Sequence, residues 1–274
     1  MSAAPLVVVS GGFDDVRASD VRFLQAAATF GPVTALVWPD AVVLQQAGQA
    51  PKFPLAERLY LLNALRYVAR AVPLAGDGHV DTVPELESDR VTVWVDREGR
   101  ANAARRAGCR DRRIEYHVMP LSRLEGSPAP PPQRAEAGRK TVIVSGSFDW
   151  FHTGHVRFLE EASNYGNLYA VVGHDANIRR LKGDGHPLLR EDERRYMVGS
   201  VRFVTQAVIS TGEGWLDADP EVRQIRPDIY VVNEDGDKGG KREYCERLGI
   251  EYVVLSRTPA PGLPRRSSTE LRGF

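Results

Sequence analysis

The stretch VSGGFDDVRASDVRFLQAA, Val9 to Ala27, returns later in the chain as VSGSFDWFHTGHVRFLEEA, Val144 to Ala162. This repetition limits the fold more than any other feature, because an offset of about 135 residues is the scale of a domain and not of a solenoid unit. The similarity runs on. ERLYLLNALRYVARAV (Glu57 to Val72) matches ERRYMVGSVRFVTQAV (Glu193 to Val208), and RRAGCRDRRIEYHVMPLSR (Arg105 to Arg123) echoes REYCERLGIEYVVLSR (Arg242 to Arg257) with a short insertion. Between the copies lies EGSPAPPPQRAEAG, whose proline and small residues predict an extended, partly stiff linker. The expected organisation is therefore a first domain over 1–124, a linker over 125–138 and a second domain over 139–274.

Each copy alternates strand with helix. In the second, KTVIVSG is a β-branched run ending in glycine, HVRFLEEASNYG has helical spacing, and NLYAVVGHD is the next strand. An amphipathic helix, REDERRYMVGSVRFV, then precedes the strands QAVIS, DIYVVNED and IEYVVLSR, which are separated by further helices. That alternation predicts an α/β fold: two tandem Rossmann-like domains, each a doubly wound parallel sheet with helices on both faces. Ligands in such sheets lie beyond the carboxyl ends of the strands, where the winding reverses. The chemically informative residues gather there: Ser145 to His155, His174 and Asp175, Asn233 to Asp235, and the segment after Arg257.

Charge excludes some partners. Lys plus Arg number 36 and Asp plus Glu number 36, so no global positive field exists to hold nucleic acid or an anionic membrane. A small anion needs only a local arrangement. Cys109 and Cys245 fall at matching places in the two copies and have no metal-ligand spacing, which predicts two reduced thiols. The start MSAAPLVVVSGG has no basic segment, and its apolar run is too short for a signal or a membrane span; the expected location is cytoplasmic.

His152 and His155 stand three apart at the opening of a helix and so share a side. A helix N-terminus offers free N–H groups and partial positive charge to phosphate. Gly146 and Gly154 let backbone approach an anion without a Cβ in the way, and imidazoles added to such a cradle donate hydrogen bonds as charge builds in a transition state. Zinc is the rival use of paired histidines, but a third ligand in a matching motif is missing. Near the end, RRSSTELR places Ser267, Ser268 and Thr269 before an apparent helix beside Arg266, a good seat for a diphosphate.

With these residues in view, GSFDWFHTGH resembles the H-x-G-H signature of the nucleotidyltransferase superfamily that includes the cytidylyltransferases for glycerol, choline and ethanolamine phosphates. The likeness extends over nearly all of 140–274. It implies a catalytic set of His152, His155 and Lys182. It also implies nucleotide and phosphate contacts from Gly146, Ser147, Phe148, Gly154, Arg194, Arg202, Arg266, Ser267, Ser268 and Thr269. Arg202 belongs to the RFVT element, which leans toward cytidine; its last residue, Thr205, replaces the family's aspartate, and NEDGD departs from the family's strand-end element. Asp149, Trp150, His174, Asp175 and Trp215 are candidates for acceptor binding. No metal ligand is assigned to the protein.

The reaction so implied is attack of a phosphate monoester on the α-phosphorus of a nucleoside triphosphate, CTP favoured, with release of pyrophosphate and with Mg²⁺ carried by the triphosphate. The acceptor would be a small phosphorylated or phosphonylated alcohol. An adenylyltransferase acting on a sugar phosphate, FMN or a pantetheine-like acceptor is the alternative, and a nucleotide-binding sensor without turnover is a third reading. Class I aminoacyl-tRNA synthetases share an H-x-G-H-like motif, but their tRNA-binding body and lysine-rich second signature are missing here.

In the first copy the losses fall on the chemical positions. Arg17 stands opposite His152, Asp20 opposite His155 and Ala47 opposite Lys182, while Gly11, Phe13, Asp14, Val21, Arg22, Phe23 and Leu24 remain. Asp20 would repel a triphosphate. The first domain is therefore expected to be a pseudoenzyme, serving as the second domain's intramolecular partner in a pseudo-dimer that is open to further oligomerisation. A regulatory pocket in it has no specific support in the sequence.

Overall fold

The computed structural model describes residues 6–75, 80–84 and 91–271. It divides into two compact units, Met1–Gly126 and Ser127–Phe274.

In the first unit the strands β1 (Leu6–Gly11), β2 (Val33–Val37), β3 (Arg70–Pro73), β4 (Val91–Arg97) and β5 (Glu115–Met119) form one parallel sheet in the order β3-β2-β1-β4-β5. The helices α1 (Ala18–Ala27), α2 (Asp40–Ala47), α3 (Leu55–Asn63) and α4 (Ala103–Asp111) flank it. The second unit repeats the plan. Its strands β6 (Thr141–Gly146), β7 (Asn167–Val172), β8 (Val204–Ile209), β9 (Ile229–Asn233) and β10 (Glu251–Leu255) are parallel and ordered β8-β7-β6-β9-β10. The helices α5 (Thr153–Ser163), α6 (Asp175–Lys182), α7 (Glu191–Gly199), α8 (Asp219–Ile225) and α9 (Lys241–Leu248) surround it, and the short α10 (Ser268–Leu271) ends the described chain. The alternation of strand and helix is thus realised as two five-stranded Rossmann-like sheets.

The central strands are buried on both faces, as helices on a parallel sheet require. Val7, Val8 and Val9 of β1, like Val142, Ile143 and Val144 of β6, are buried. In both units the winding reverses beside the first strand, so the cleft expected at that point opens next to Gly11 in one unit and Gly146 in the other.

The two units share their scaffold bond by bond. Arg194 is fully buried and donates to the carbonyls of Leu189 (2.9 Å) and Ser147 (2.6 Å) and to the Asp175 carboxylate (2.6 Å). Arg58 does the same with Phe53 (2.9 Å), Gly12 (2.5 Å) and Asp40 (2.5 Å). Asp149 accepts from the amides of Leu188 and Leu189, and Asp14 from those of Lys52 and Phe53. Even the tight turn after the first strand is copied. Phe13 and Phe148 both have φ of +48°, followed by Asp15 at +51° and Trp150 at +53°, a backbone region that non-glycine residues seldom enter.

Two expectations need correction. The helix read as REDERRYMVGSVRFV ends at Gly199, where a Cβ would lie 2.8 Å from Pro130, and Val204 already begins β8. A separate helix, α6, carries ANIRRLK. The proline-rich segment is also not a plain spacer. From Gln133 onward it is bonded to the second unit: the Gln133 amide donates to the Thr205 carbonyl (2.7 Å), and its side chain donates to the carbonyls of Arg202 (3.0 Å) and Val204 (2.6 Å). The Asn167 side chain then accepts from the Glu136 amide and donates to the Glu136 carbonyl, both at 2.9 Å. This strap covers the start of β8, an edge strand whose exposed backbone would otherwise invite pairing. Replacing Gln133 by alanine in the full chain should destabilise the second unit by about 1–2 kcal/mol, visible as a lower urea midpoint for that unit's transition.

Candidate active site

His152 caps α5. Its backbone is extended (φ −145°, ψ 176°), and its Nδ1 accepts the Gly154 amide at 3.0 Å. That bond fixes the tautomer: a nitrogen that accepts cannot carry the proton, so the proton sits on Nε2. His152 Nε2 is buried and has no hydrogen-bond partner, and the same holds for Nδ1 of His155. Unpaired polar atoms of this kind are costly in a folded core, which marks them as reserved for a ligand. The two rings stack at 4.0 Å, with Phe148 and Phe151 packed on His155 at 5.5 and 5.6 Å. The glycine between the histidines follows from this packing. A Cβ on Gly154 would lie 2.9 Å from the His152 ring, a separation that side chains do not tolerate.

Both imidazoles are held neutral. Burial pushes His152 down to about 3, with Arg257 and then Arg266 adding their positive charge. His155 is driven well below its ordinary value by burial, then by His152, Arg257 and Lys182. Neutral imidazoles surrounded by fixed cations form a site that waits for an anion.

The cleft in front of them has a volume of about 480 Å³ and is lined by the carboxyl ends of β6 and β9 and by residues that follow β7, β8 and β10. Gly146, Ser147, Phe148, His152, Gly154 and His155 form one wall, Lys182 closes the α6 side, and Thr269 reaches in from α10. Lys182 Nζ donates to Ser147 Oγ at 2.8 Å. Arg266 borders the adjoining recess beside Gly154, and Ser268 Oγ donates to the Asp149 carbonyl at 2.5 Å, docking α10 on the histidine turn. Ser267 Oγ accepts the Glu270 amide at 3.2 Å and acts as a local cap. Arg272, the last residue of the sequence motif, lies outside the described residues.

Several candidates do not reach the cleft. Arg194, Asp149 and Asp175 are engaged in the shared scaffold. His174 caps α6: its Nδ1 accepts the Asn177 amide (3.2 Å) and its Nε2 lies 2.9 Å from the Gly212 carbonyl. Trp150 occupies the strained turn and does not line the cavity. Arg202 and Thr205 lie at the amino end of β8, opposite the end that faces the cleft. Of the acceptor candidates Trp215 alone lines it, 52% exposed.

The structure also adds residues that the sequence left without an assigned role. Arg257 lines the cleft and bonds Asp235 (2.8 Å) and the Arg266 carbonyl (2.9 Å), which ties the end of β10 to the phosphate motif. Lys238 and Lys241 face the cleft beside Asp217. Burial lowers the Lys241 ammonium, opposed by Asp217 and Asp237. The available signal was the run GDKGGK directly after a strand, where glycines free the backbone and lysines follow.

Comparison with known proteins places these residues in context. A family model described as Cytidylyltransferase-like matches residues 143–274. The chain is 38% identical over 117 residues to an FAD synthase of Aciduliprofundum boonei, covering 42% of this chain and 75% of that protein. It is 32% identical over 134 residues to an FAD synthase of Methanocella paludicola, 48% of this chain and 92% of that one. It is also 34% identical over 119 residues to the bifunctional protein HldE of Aliarcobacter butzleri, of which it spans 24%.

Proposed function

The chain belongs to the cytidylyltransferase-like family and is a nucleotidyltransferase; on that premise we propose that its second unit transfers AMP from ATP to FMN, releasing pyrophosphate. The observation that carries the transfer chemistry is the pair of buried, neutral, unpartnered imidazoles beside Lys182 and Arg257. In the proposed step an oxygen of the acceptor's phosphate attacks the α-phosphorus. The α–β bridging bond breaks, and its electron pair leaves on pyrophosphate. A phosphate dianion is already a nucleophile, so no general base is needed. The chain's task is alignment and charge neutralisation: His152 donates from Nε2–H, while His155 and Lys182 flank the α-phosphoryl oxygens. Arg257 and Thr269 hold the departing diphosphate.

Mg²⁺ is proposed to arrive on the triphosphate. Among the described residues no three His, Cys, Asp or Glu side chains converge as a metal cluster, and the carboxylates lining the cleft at Asp217 and Asp235 bond Ser210 and Arg257.

Adenine is preferred to cytosine for two reasons. The chain covers 75% and 92% of two FAD synthases. The RFVT element that leans toward cytidine lies at the far end of β8, away from the cleft. Half-exposed Trp215 offers a flat wall suited to an isoalloxazine ring. A sugar phosphate is the second reading, supported by the likeness to HldE. The test is pyrophosphate release with ATP or CTP against FMN and a panel of sugar phosphates. ATP with FMN should give pyrophosphate and FAD together; turnover with CTP alone would overturn the choice of base, and turnover only with a sugar phosphate the choice of acceptor.

The first unit is proposed to be a disarmed copy and the intramolecular partner of the second. The same strand order, the same arginine and aspartate bonds and the same strained turn support this reading, together with Arg17 and Asp20 where the imidazoles stand.

A further inference from the structure

The first unit keeps a cleft of its own, about 310 Å³, at the carboxyl ends of β1, β2 and β4. Its chemistry differs from that of the catalytic cleft. Where β7 is followed by Gly173, β2 is followed by Trp38, since Gly11 pairs with Val37 as Gly146 pairs with Val172. The Trp38 indole N–H donates to Ser10 Oγ at 2.8 Å, which fixes the ring in the wall. Phe13 and Phe23 also line the space. On the β4 side Arg97 and Arg100 enter at the places of Asn233 and Gly236. Arg97 lies 4.6 Å over Phe23 and pairs with Asp20 at 2.6 Å. The Arg100 guanidinium lies 4.4 Å over the Trp38 ring and has no carboxylate salt-bridge partner among the described residues.

We propose that this cleft is a second ligand site, separate from the catalytic one, and that it binds a nucleoside monophosphate. The planar guanidiniums of Arg100 and Arg97, seated on Trp38 and Phe23, offer the stacking faces for a planar base. A guanidinium stacked on a ring keeps its N–H fork in the plane and free to grip a phosphate from two directions. Gly11 and Gly12 let the ligand approach the backbone. The volume is at the small end of ligand pockets, and the carboxylates of Asp20 and Asp96 line it beside the two arginines, so the site suits a monophosphate better than the more highly charged triphosphate. The inference does not depend on the acceptor used by the second unit.

The test follows the indole N–H resonance of Trp38 in the full chain by NMR, assigned through Trp38→Phe, during titration with AMP, ATP, adenosine and ribose 5-phosphate. AMP should shift the Trp38 signal saturably, with adenosine and ribose 5-phosphate far weaker and ATP without effect on it. Arg100→Ala should weaken AMP on the order of tenfold to a hundredfold while leaving the Trp215 signal's response to ATP intact. Ala47→Glu, a negative charge set on the cleft wall, should weaken AMP in the same direction without touching Arg100. A Trp38 signal that AMP does not move, or one that moves equally in both variants, overturns the proposal; equal response to ATP and AMP overturns the selection for monophosphate.

Discussion

Replacing His155 by alanine lowers the turnover number for pyrophosphate release on the order of 10²–10³-fold. The expectation rests on geometry. The His155 ring is gripped between His152, Phe148 and Phe151, and its Nδ1 has no hydrogen-bond partner among the described residues. A group so held loses little freedom when charge develops beside it, which is the condition for preorganised electrostatic stabilisation. The loss should appear in turnover more than in nucleotide KM, because the interaction strengthens as charge builds on the transferring phosphoryl group. A thermal melt of the variant distinguishes lost chemistry from lost folding. An alanine enzyme with undiminished turnover and a normal melt would show that this imidazole never touches the reacting phosphate.

Acid should unfold the second unit sooner than its carboxylates alone predict. His152 is neutral in the folded chain down to about pH 3, whereas in the unfolded chain it takes up a proton near its ordinary value of 6.5. Below 6.5 the unfolded state binds more protons, so stability present above that pH is lost as pH falls toward the folded value. The slope is about 1.4 kcal/mol per pH unit, giving roughly 2 kcal/mol between pH 7 and pH 5. His155 is shifted in the same direction and adds to the loss. Urea denaturation of the full chain at the two pH values measures it. His152→Asn is the informative variant, since asparagine can still accept the Gly154 amide as a helix cap but does not titrate. Its unfolding curve should lose the His152 share of the pH slope; an unchanged slope means that the folded state does not hold this ring neutral.

The order of strand and helix and the paired histidines are legible in the sequence, because each is written in local pattern. Telling scaffold from chemistry within the motif was harder. Asp149, Asp175 and Arg194 resemble site residues by position, and pattern alone says nothing of where a guanidinium points. Yet the sequence did contain a test. Each of the three has its counterpart in the first unit, at Asp14, Asp40 and Arg58, and those counterparts make the same bonds. Bonds common to both units belong to the shared framework; His152, His155 and Lys182, which the first unit does not repeat, make up the proposed chemical set. Lys238 and Arg257, in loops, and Lys241, at the start of α9, had no role assigned because their approach to the cleft depends on tertiary packing, which no short-range spacing encodes.

The intolerance at Gly154 bears on whether the first unit could be given the same pair of rings. Its counterpart there is Ser19, which stands beside Arg17 and not beside an imidazole. Grafting imidazoles onto positions 17 and 20 would therefore fail by itself, since the serine Cβ would collide with the first of them and Trp38 would still fill the space that Gly173 leaves open.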